Sequence, residues 1–284
     1  MMNAIMKADE LLKRYAAGER DFRNIELQGA KFLGVDLSQV NLRGANLSET
    51  NFRGSSLNSA NLREANLTQA NLMGTDLRQS NLIGSNLSQI NLSEANLYDA
   101  SLRAANLIGA NLSGANLTEV ILSDAILRDA NLSRAKLIEA SLNRCNIAYA
   151  LLMGASLEGA NLTHAILHGA NLKGANLSKA LLQGANFTGT DLSQADLSRA
   201  RANGSNMADV NLKDANLRGA NLSWTTLRGA NLTKANLYRA KLCWSNLTGA
   251  ILVDAVLLDA NLNQANLRDA DLTGAIMPDG ATHE

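Results

Sequence analysis

The apolar residues of this chain recur at every fifth position. Stepping by five from Phe22 to Met277 gives 52 positions, of which 44 are Leu, four Phe, two Met, one Ile and one Ala, Ala202. Two residues before each of these centres stands a small residue, Ala in 35 of the 52, with Ser, Thr, Val, Ile and Cys145 filling nearly all the rest. The position between the two is mostly Asn, and 19 of the 21 glycines fall two residues after a centre. The register never slips. A helix turning 100° per residue cannot hold residues five apart on one face, and an uninterrupted strand would send every second Leu to the wrong side. The pattern instead predicts a short extended segment with its small residue and its Leu both facing inward, its other residues facing outward, and a turn, where Gly belongs, before the next segment. No five-residue unit can bury its own apolar face, so the units must wind into a solenoid whose successive turns hydrogen-bond to one another.

Runs such as Ala105-Asn106-Leu107-Ile108-Gly109 and Ala175-Asn176-Leu177-Ser178-Lys179 resemble the A(D/N)LXX motif of the pentapeptide-repeat family, and the resemblance covers about nine tenths of the chain. It implies an all-β solenoid, a right-handed quadrilateral β-helix with four pentapeptides per coil. The 52 units then make about 13 coils, and a strand spacing of roughly 4.8 Å makes a rod about 60 Å long. A 20-residue coil also has support in the chain itself: Trp224 and Trp244, Phe32 and Phe52, and Arg23, Arg43 and Arg63 are spaced 20 apart.

An open coil end exposes the apolar column and unpaired strand edges, so solenoids need caps. Residues 1–19 read as an N-terminal helical cap. Asp9 or a neighbour starts a helix that runs through about Ala17, with Leu11, Leu12 and Tyr15 on one face and Gly18 in the stop position. This segment and the ending Ala275-Ile276-Met277-Pro278-Asp279-Gly280 resemble those of cyanobacterial members of the family. The repeats span 20–279, and Pro278-Asp279-Gly280 reads as a turn into a short tail, 280–284, so the C-terminal end is under-capped. Either the tail or another chain should cover it.

Twenty-six Lys and Arg against 26 Asp and Glu give a formal net charge of zero and a pI near 6.8. That balance argues against a surface that neutralises nucleic acid, and equally against a whole-surface DNA mimic. No stretch approaches 18 uncharged apolar residues, and Met1 to Met6 are too short and too weakly basic to open a secretory signal, so a cytoplasmic, non-membrane protein is expected. Two cysteines make neither a disulfide framework nor a four-ligand zinc site, and Cys145 takes an inward position while Cys243 takes an outward one.

A filled column with short turns offers no cleft in which titratable groups converge, so no catalytic residue, cofactor or small-molecule substrate is expected. His164 and His168 have the spacing of a helical zinc pair but lack a third ligand nearby, and no metal site is expected. Information about partners must lie at outward positions, mostly Asn, Ser, Thr or Arg. The exceptions cluster. Ile251, Val253, Val256 and Leu258 face outward in one coil, with Tyr238 one coil below and Ile276 and Pro278 one coil above, an apolar patch beside the under-capped end. On another side Trp224 and Trp244 stack as an exposed ladder. A weaker set comprises Ile121, Ile126, Leu151, Met153, Ile166 and Leu181. Asp99, Glu119 and Glu139 form an acidic stack and Arg23, Arg43 and Arg63 a basic one, each with a repulsive cost.

These features point to a non-enzymatic protein-interaction scaffold, a regulatory one if the likeness to cyanobacterial members extends to function, with an unidentified protein partner and a homodimer through the C-terminal coils as one arrangement. Some members of the family resemble DNA and bind type II topoisomerases through an acidic face, which makes topoisomerase modulation the alternative. Zero net charge and the lack of long loop insertions depart from that pattern.

Overall fold

Backbone hydrogen bonding explains why five residues suffice as a repeating unit. In the pentapeptide 66–70 of the computed structural model, which describes residues 6–284, every N–H has a partner. Leu67 N–H donates to the Asn86 carbonyl (2.8 Å) and Gln69 N–H to the Ser88 carbonyl (3.0 Å), both one coil ahead, while Asn66 N–H donates back to Ala45 (3.0 Å). Ala70 N–H closes a turn onto the Leu67 carbonyl (3.0 Å), and the fifth donor, Thr68 N–H, goes to the side-chain Oδ1 of Asn66 (3.2 Å). The frequent Asn therefore supplies the one acceptor that the coil lacks. Its amide adds a further link, since Asn66 Nδ2 reaches Asn46 Oδ1 at 3.2 Å.

The turn fixes the remaining position. Every fifth residue from Asn24 to Gly274 has a positive φ, between 54° and 71°. That is the left-handed third position of a type II turn, where Gly is unstrained and a β-branched residue is most penalised. No Val, Ile or Thr occupies any of these positions, although all three are common elsewhere in the chain.

Two compact units follow one another, Met1–Ser141 and Leu142–Glu284. Each is a coil of four-sided turns in which parallel bridges join residue n to n+20, as in Asn41↔Asn61 of the first and Asn211↔Asn231 of the second. Inside each, the Leu column and the Ala column are almost completely buried, at about 1.5–3 kcal/mol of gross gain per Leu. Phe32 and Phe52 stack in the first unit with centroids 4.9 Å apart, and Cys145 is a buried core residue of the second.

In the first unit a helix, α1 (Ala8–Ala16), precedes the coil. Of the residues expected to start it, Asp9 lies in the first turn, and the cap is its neighbour Lys7, which makes no side-chain capping bond. Asp9 and Glu10 instead complement the dipole from inside the helix. The exit is as read, because Gly18 N–H bonds to Tyr15 and Glu19 N–H to Arg14, the paired bonds of a Schellman stop. Leu11 is buried, Leu12 and Tyr15 are half-buried, and the Tyr15 hydroxyl donates to the Ser38 carbonyl of the first coil at 2.8 Å. Residues 1–5 of the expected 1–19 cap, like most of the Met1–Met6 stretch, lie outside the described residues. No helix among the described residues is long and apolar enough to cross a membrane.

The second unit ends differently. Its tail turns back at Gly280 and pairs antiparallel through Thr282 with Ile276, with Met277 N–H donating to Ala281 at 2.7 Å and His283 N–H to Ala275 at 2.8 Å. One side of the last coil is thereby closed. On the other three, the N–H groups of Leu262, Gln264, Leu267, Asp269 and Leu272 have no backbone partner among the described residues, and the three Leu side chains are only half-buried.

Candidate interaction surface

Exposed apolar side chains of the second unit mostly stand where the repeat places Asn. Ile251, Val256 and Ile276 each stand where the repeat places Asn; at 251 and 256 the acceptor for the N–H two positions on is thereby given up, whereas Pro278, two positions after Ile276, has no N–H to satisfy. Ile251 is 41% exposed and Leu258 37%, while Val253, Val256 and Ile276 are half-buried. Val256 bridges directly to Ile276, and Leu258 touches the tail turn, its Cδ1 lying 3.6 Å from where a Cβ on Gly280 would sit. Ile251 by contrast bridges to Asn231 and Asp271, so it stands among polar neighbours. Tyr238 belongs to the patch only in part. The guanidinium groups of Arg218 and Arg239 lie over its ring at 5.2 and 4.8 Å, which makes it a polar boundary.

Trp224 and Trp244 stack with centroids 5.1 Å apart and planes 4° from parallel. Both occupy left-handed turn positions (φ 61° and 60°), so they project from a corner and not from a flat side. Trp224 is 64% exposed and Trp244 51%, and the residue 20 before Trp224 is Gly204, whose Cβ position is open space; one face of the Trp224 ring is therefore bare. Of the scattered set, Ile121 and Ile126 are exposed in the first unit, and Leu151, Met153 and Ile166 in the second, where Leu181 is half-buried.

Charge stacking carries less repulsion than its spacing suggests. Arg23 pairs with Asp21 at 2.7 Å, and Arg43 and Arg63 share Glu64 at 3.1 Å each, so the basic stack is neutralised by its neighbours. Hydrogen bonds from Arg43 and Arg63 hold the Glu64 carboxyl below the usual range. In the acidic stack, Glu119 accepts from the Tyr98 hydroxyl at 3.2 Å, which raises that phenol's pKa. No cluster of three potential metal ligands occurs among the described residues; His168 packs edge-on to Tyr149 at 5.3 Å, with its Nδ1 2.9 Å from the Thr188 carbonyl.

One feature of the second unit has no signal in the repeat. On the side that carries Leu258, but nearer the start of the unit, Ser178 and Ser198 form the floor of a groove of about 370 Å³ between the taller Glu158 and Arg218, with Lys179 and Arg199 along one edge. Only the order of short and long residues at 20-residue spacing could have revealed it.

The family model for pentapeptide repeats matches the chain in eight copies, from 21–58 through to 244–277. HetL, a pentapeptide-repeat protein involved in heterocyst differentiation regulation from the cyanobacterium Nostoc sp. strain PCC 7120, is 36% identical over 98% of this chain and 100% of its own, with a TM-score of 0.31. A second pentapeptide-repeat protein of Nostoc PCC 7120, alr5209, is 37% identical over 38% of this chain and 82% of its own, with a TM-score of 0.21. QnrB1, a plasmid-mediated fluoroquinolone resistance protein, is 18% identical over 78% of this chain and 93% of its own, with a TM-score of 0.49. No curated protein matches.

Proposed function

The chain belongs to the pentapeptide-repeat family, whose fold is the right-handed quadrilateral β-helix, and from that premise we propose that it is a non-enzymatic, cytoplasmic scaffold that binds a protein partner on the C-terminal coils of its second unit. The observation that carries this reading is the loss of Asn at Ile251, Val256 and Ile276. At Ile251 and Val256 the repeat gives up an internal acceptor, and at all three it presents an aliphatic side chain to solvent, a combination that contributes nothing to the coil and suits a surface to be covered. The rigid coil presents such a surface with little left to order on association. Beside it, three sides of the last coil offer unpaired N–H groups and half-buried Leu side chains, which a second copy of the chain or another protein could cover.

The test is light scattering on size-separated wild type and on Val256→Arg/Leu258→Arg, with circular dichroism confirming the fold of both. A wild-type dimer that becomes a monomer places self-association at these coils. A monomeric wild type makes the patch the bait surface for a different protein, and the reading then requires that capture of that protein be lost in the double variant. A wild-type dimer that the double variant leaves intact would refute the use of this patch. Regulation resembling that of HetL is carried by sequence likeness alone. Topoisomerase modulation predicts inhibition of gyrase supercoiling or protection from a quinolone, and a chain of zero net charge is expected to show neither.

A further inference from the structure

The polar groove and the apolar patch occupy one side of the second unit. Glu158, Ser178, Ser198, Arg218, Tyr238 and Leu258 follow one another at 20-residue spacing and so line a single column of outward positions. Within the groove the charges are not evenly matched. Glu158 is held by Lys179 at 2.7 Å, and the Asp196 carboxylate accepts from Ser198 N–H (2.8 Å) and Asn216 Nδ2 (3.0 Å). Arg199 and Arg218 have no carboxylate within ion-pair distance among the described residues, yet both line this groove. Gly219 leaves the corner beside Arg218 empty, and the stem of Arg199 lies across it, with Cγ 3.8 Å from where a Gly219 Cβ would sit. The Arg218 guanidinium lies over the Tyr238 ring at 5.2 Å, and neither arginine has an anion; a dianion with three acceptor oxygens in the groove that both line would give each a charged partner.

We propose that this groove binds a phosphoryl group carried by the protein partner, which lies along the same side and places its apolar residues on Val256 and Leu258. The inference rests on the reading of the apolar patch and adds the chemistry of the other end. Two guanidinium forks, together with the Ser178 and Ser198 hydroxyls of the same groove, offer more donors than one carboxylate can use, and planar forks suit phosphate. A polyanion is a poor fit, since Glu158 and Asp196 interrupt the positive charge within two coils. From the Arg218 coil to the Leu258 coil are two coil spacings, on the order of 10 Å, which an extended peptide covers in about three residues. The recognised segment therefore carries its phosphorylated residue about three positions from an apolar pair.

The experiment uses a fluorescein-labelled peptide of pSer, three Gly and two Leu, its unphosphorylated counterpart, and inorganic phosphate as competitor, with fluorescence anisotropy on the full chain. The phosphorylated peptide is expected to bind at least tenfold tighter than the unphosphorylated one, the worth of a charge-assisted hydrogen bond or more. Arg199→Gln/Arg218→Gln should erase that difference. Asp196→Asn restores the residue the repeat prefers at that position, keeps the acceptor for Ser198 N–H, removes a negative charge from the groove, and should tighten the phosphorylated peptide alone several-fold. Val256→Arg/Leu258→Arg should weaken both peptides while leaving their ratio unchanged, so failure of the patch and failure of the groove give different results. Equal binding of the two peptides, or a preference that survives the double Gln variant, overturns the phosphoryl site. Inorganic phosphate that binds through the two arginines, with no gain from the peptide, overturns the partner.

Discussion

Ala202 is the one place where the Leu column is broken, and it allows the core to be tested by addition rather than removal. The side chain is buried beneath two Leu neighbours of the same column, Leu182 and Leu222, both fully buried. In the same coil the Ser205 hydroxyl is buried without a hydrogen-bond partner. The inward Ser80, Ser85 and Ser245 donate to the carbonyl three residues back, and Ser55 to the Phe32 carbonyl one coil before. The equivalent carbonyl here, that of Ala202, is taken by Thr225 Oγ1 at 2.9 Å. Ala202→Leu adds three carbon groups to a site with no solvent exposure to lose, a gross gain of about 2.4 kcal/mol at roughly 0.8 kcal/mol per buried methylene. The packed column, with Met207 buried in the next pentapeptide, must accommodate the added volume, which lowers the expected net to about 1–2 kcal/mol and the rise in melting temperature to roughly 2–6 °C. Differential scanning calorimetry reads it, with Leu222→Ala as the opposite control at a cost of about 2–5 kcal/mol. A lower melting temperature for Ala202→Leu would show that the coil has closed over the gap, and that the column is not additive there.

Three further outcomes follow from the same geometry. Ser205→Ala should stabilise by about 1 kcal/mol, because it deletes an orphaned hydroxyl without deleting a bond; urea unfolding that shows a loss would mean the hydroxyl has a partner. Gly204→Val should cost about 1–2 kcal/mol and Gly204→Asn only a few tenths, since a Cβ there meets nothing within 4 Å and φ is +71°, so any cost is backbone strain alone; equal costs would remove the left-handed turn as the reason β-branched residues are absent from these positions. Arg78 holds the Asp76 carboxyl below its ordinary 3.8, so the associated stability is present above pH about 4, where the unfolded carboxyl ionises, and is lost as pH falls through the lower folded value. Asp76→Asn should flatten that acid limb of the melting temperature against pH, and an unchanged limb would place the acid sensitivity elsewhere.

Almost all of the fold could be read from the five-residue period, because every position of the unit has one backbone or packing duty and only a few side chains perform it. Leu and Ala fill the column, Asn completes the N–H accounting, and the turn position excludes β-branched residues. What escaped that reading depends on side-chain length and direction rather than on residue class. Asp9 looked like a helix cap and lies inside the helix, since the chain enters through Lys7. The arginines at 23, 43 and 63 looked like a repulsive stack and are paired with acids one or two residues away or in the next coil. Arg199 and Arg218, without paired carboxylates, sit at positions no more distinctive in the sequence than those of the paired arginines.

That contrast indicates where a repeat of this kind can store information about partners. The position after each centre has no backbone duty for its side chain, so a change there is free, and a residue at it carries information only through the neighbours it stands among. The Asn position is different, because replacing Asn forfeits an acceptor, and the turn position is different, because a bulky side chain there adopts a left-handed φ at a cost of roughly 1–2 kcal/mol. Ile251 and Val256 carry the first cost, as Ile121, Ile126, Leu151, Ile166 and Leu181 do in other coils, and Trp224 and Trp244 carry the second. Stacking of the two rings offsets only about 0.5–1.5 kcal/mol. Replacing both Trp by Gly is therefore expected to leave stability nearly unchanged or slightly raised, as read by urea unfolding, while removing the chain's only two indoles from the surface. A loss of several kcal/mol would instead make the pair a structural clamp and leave aliphatic replacement at the Asn position as the sign of a surface whose composition the coil itself does not require.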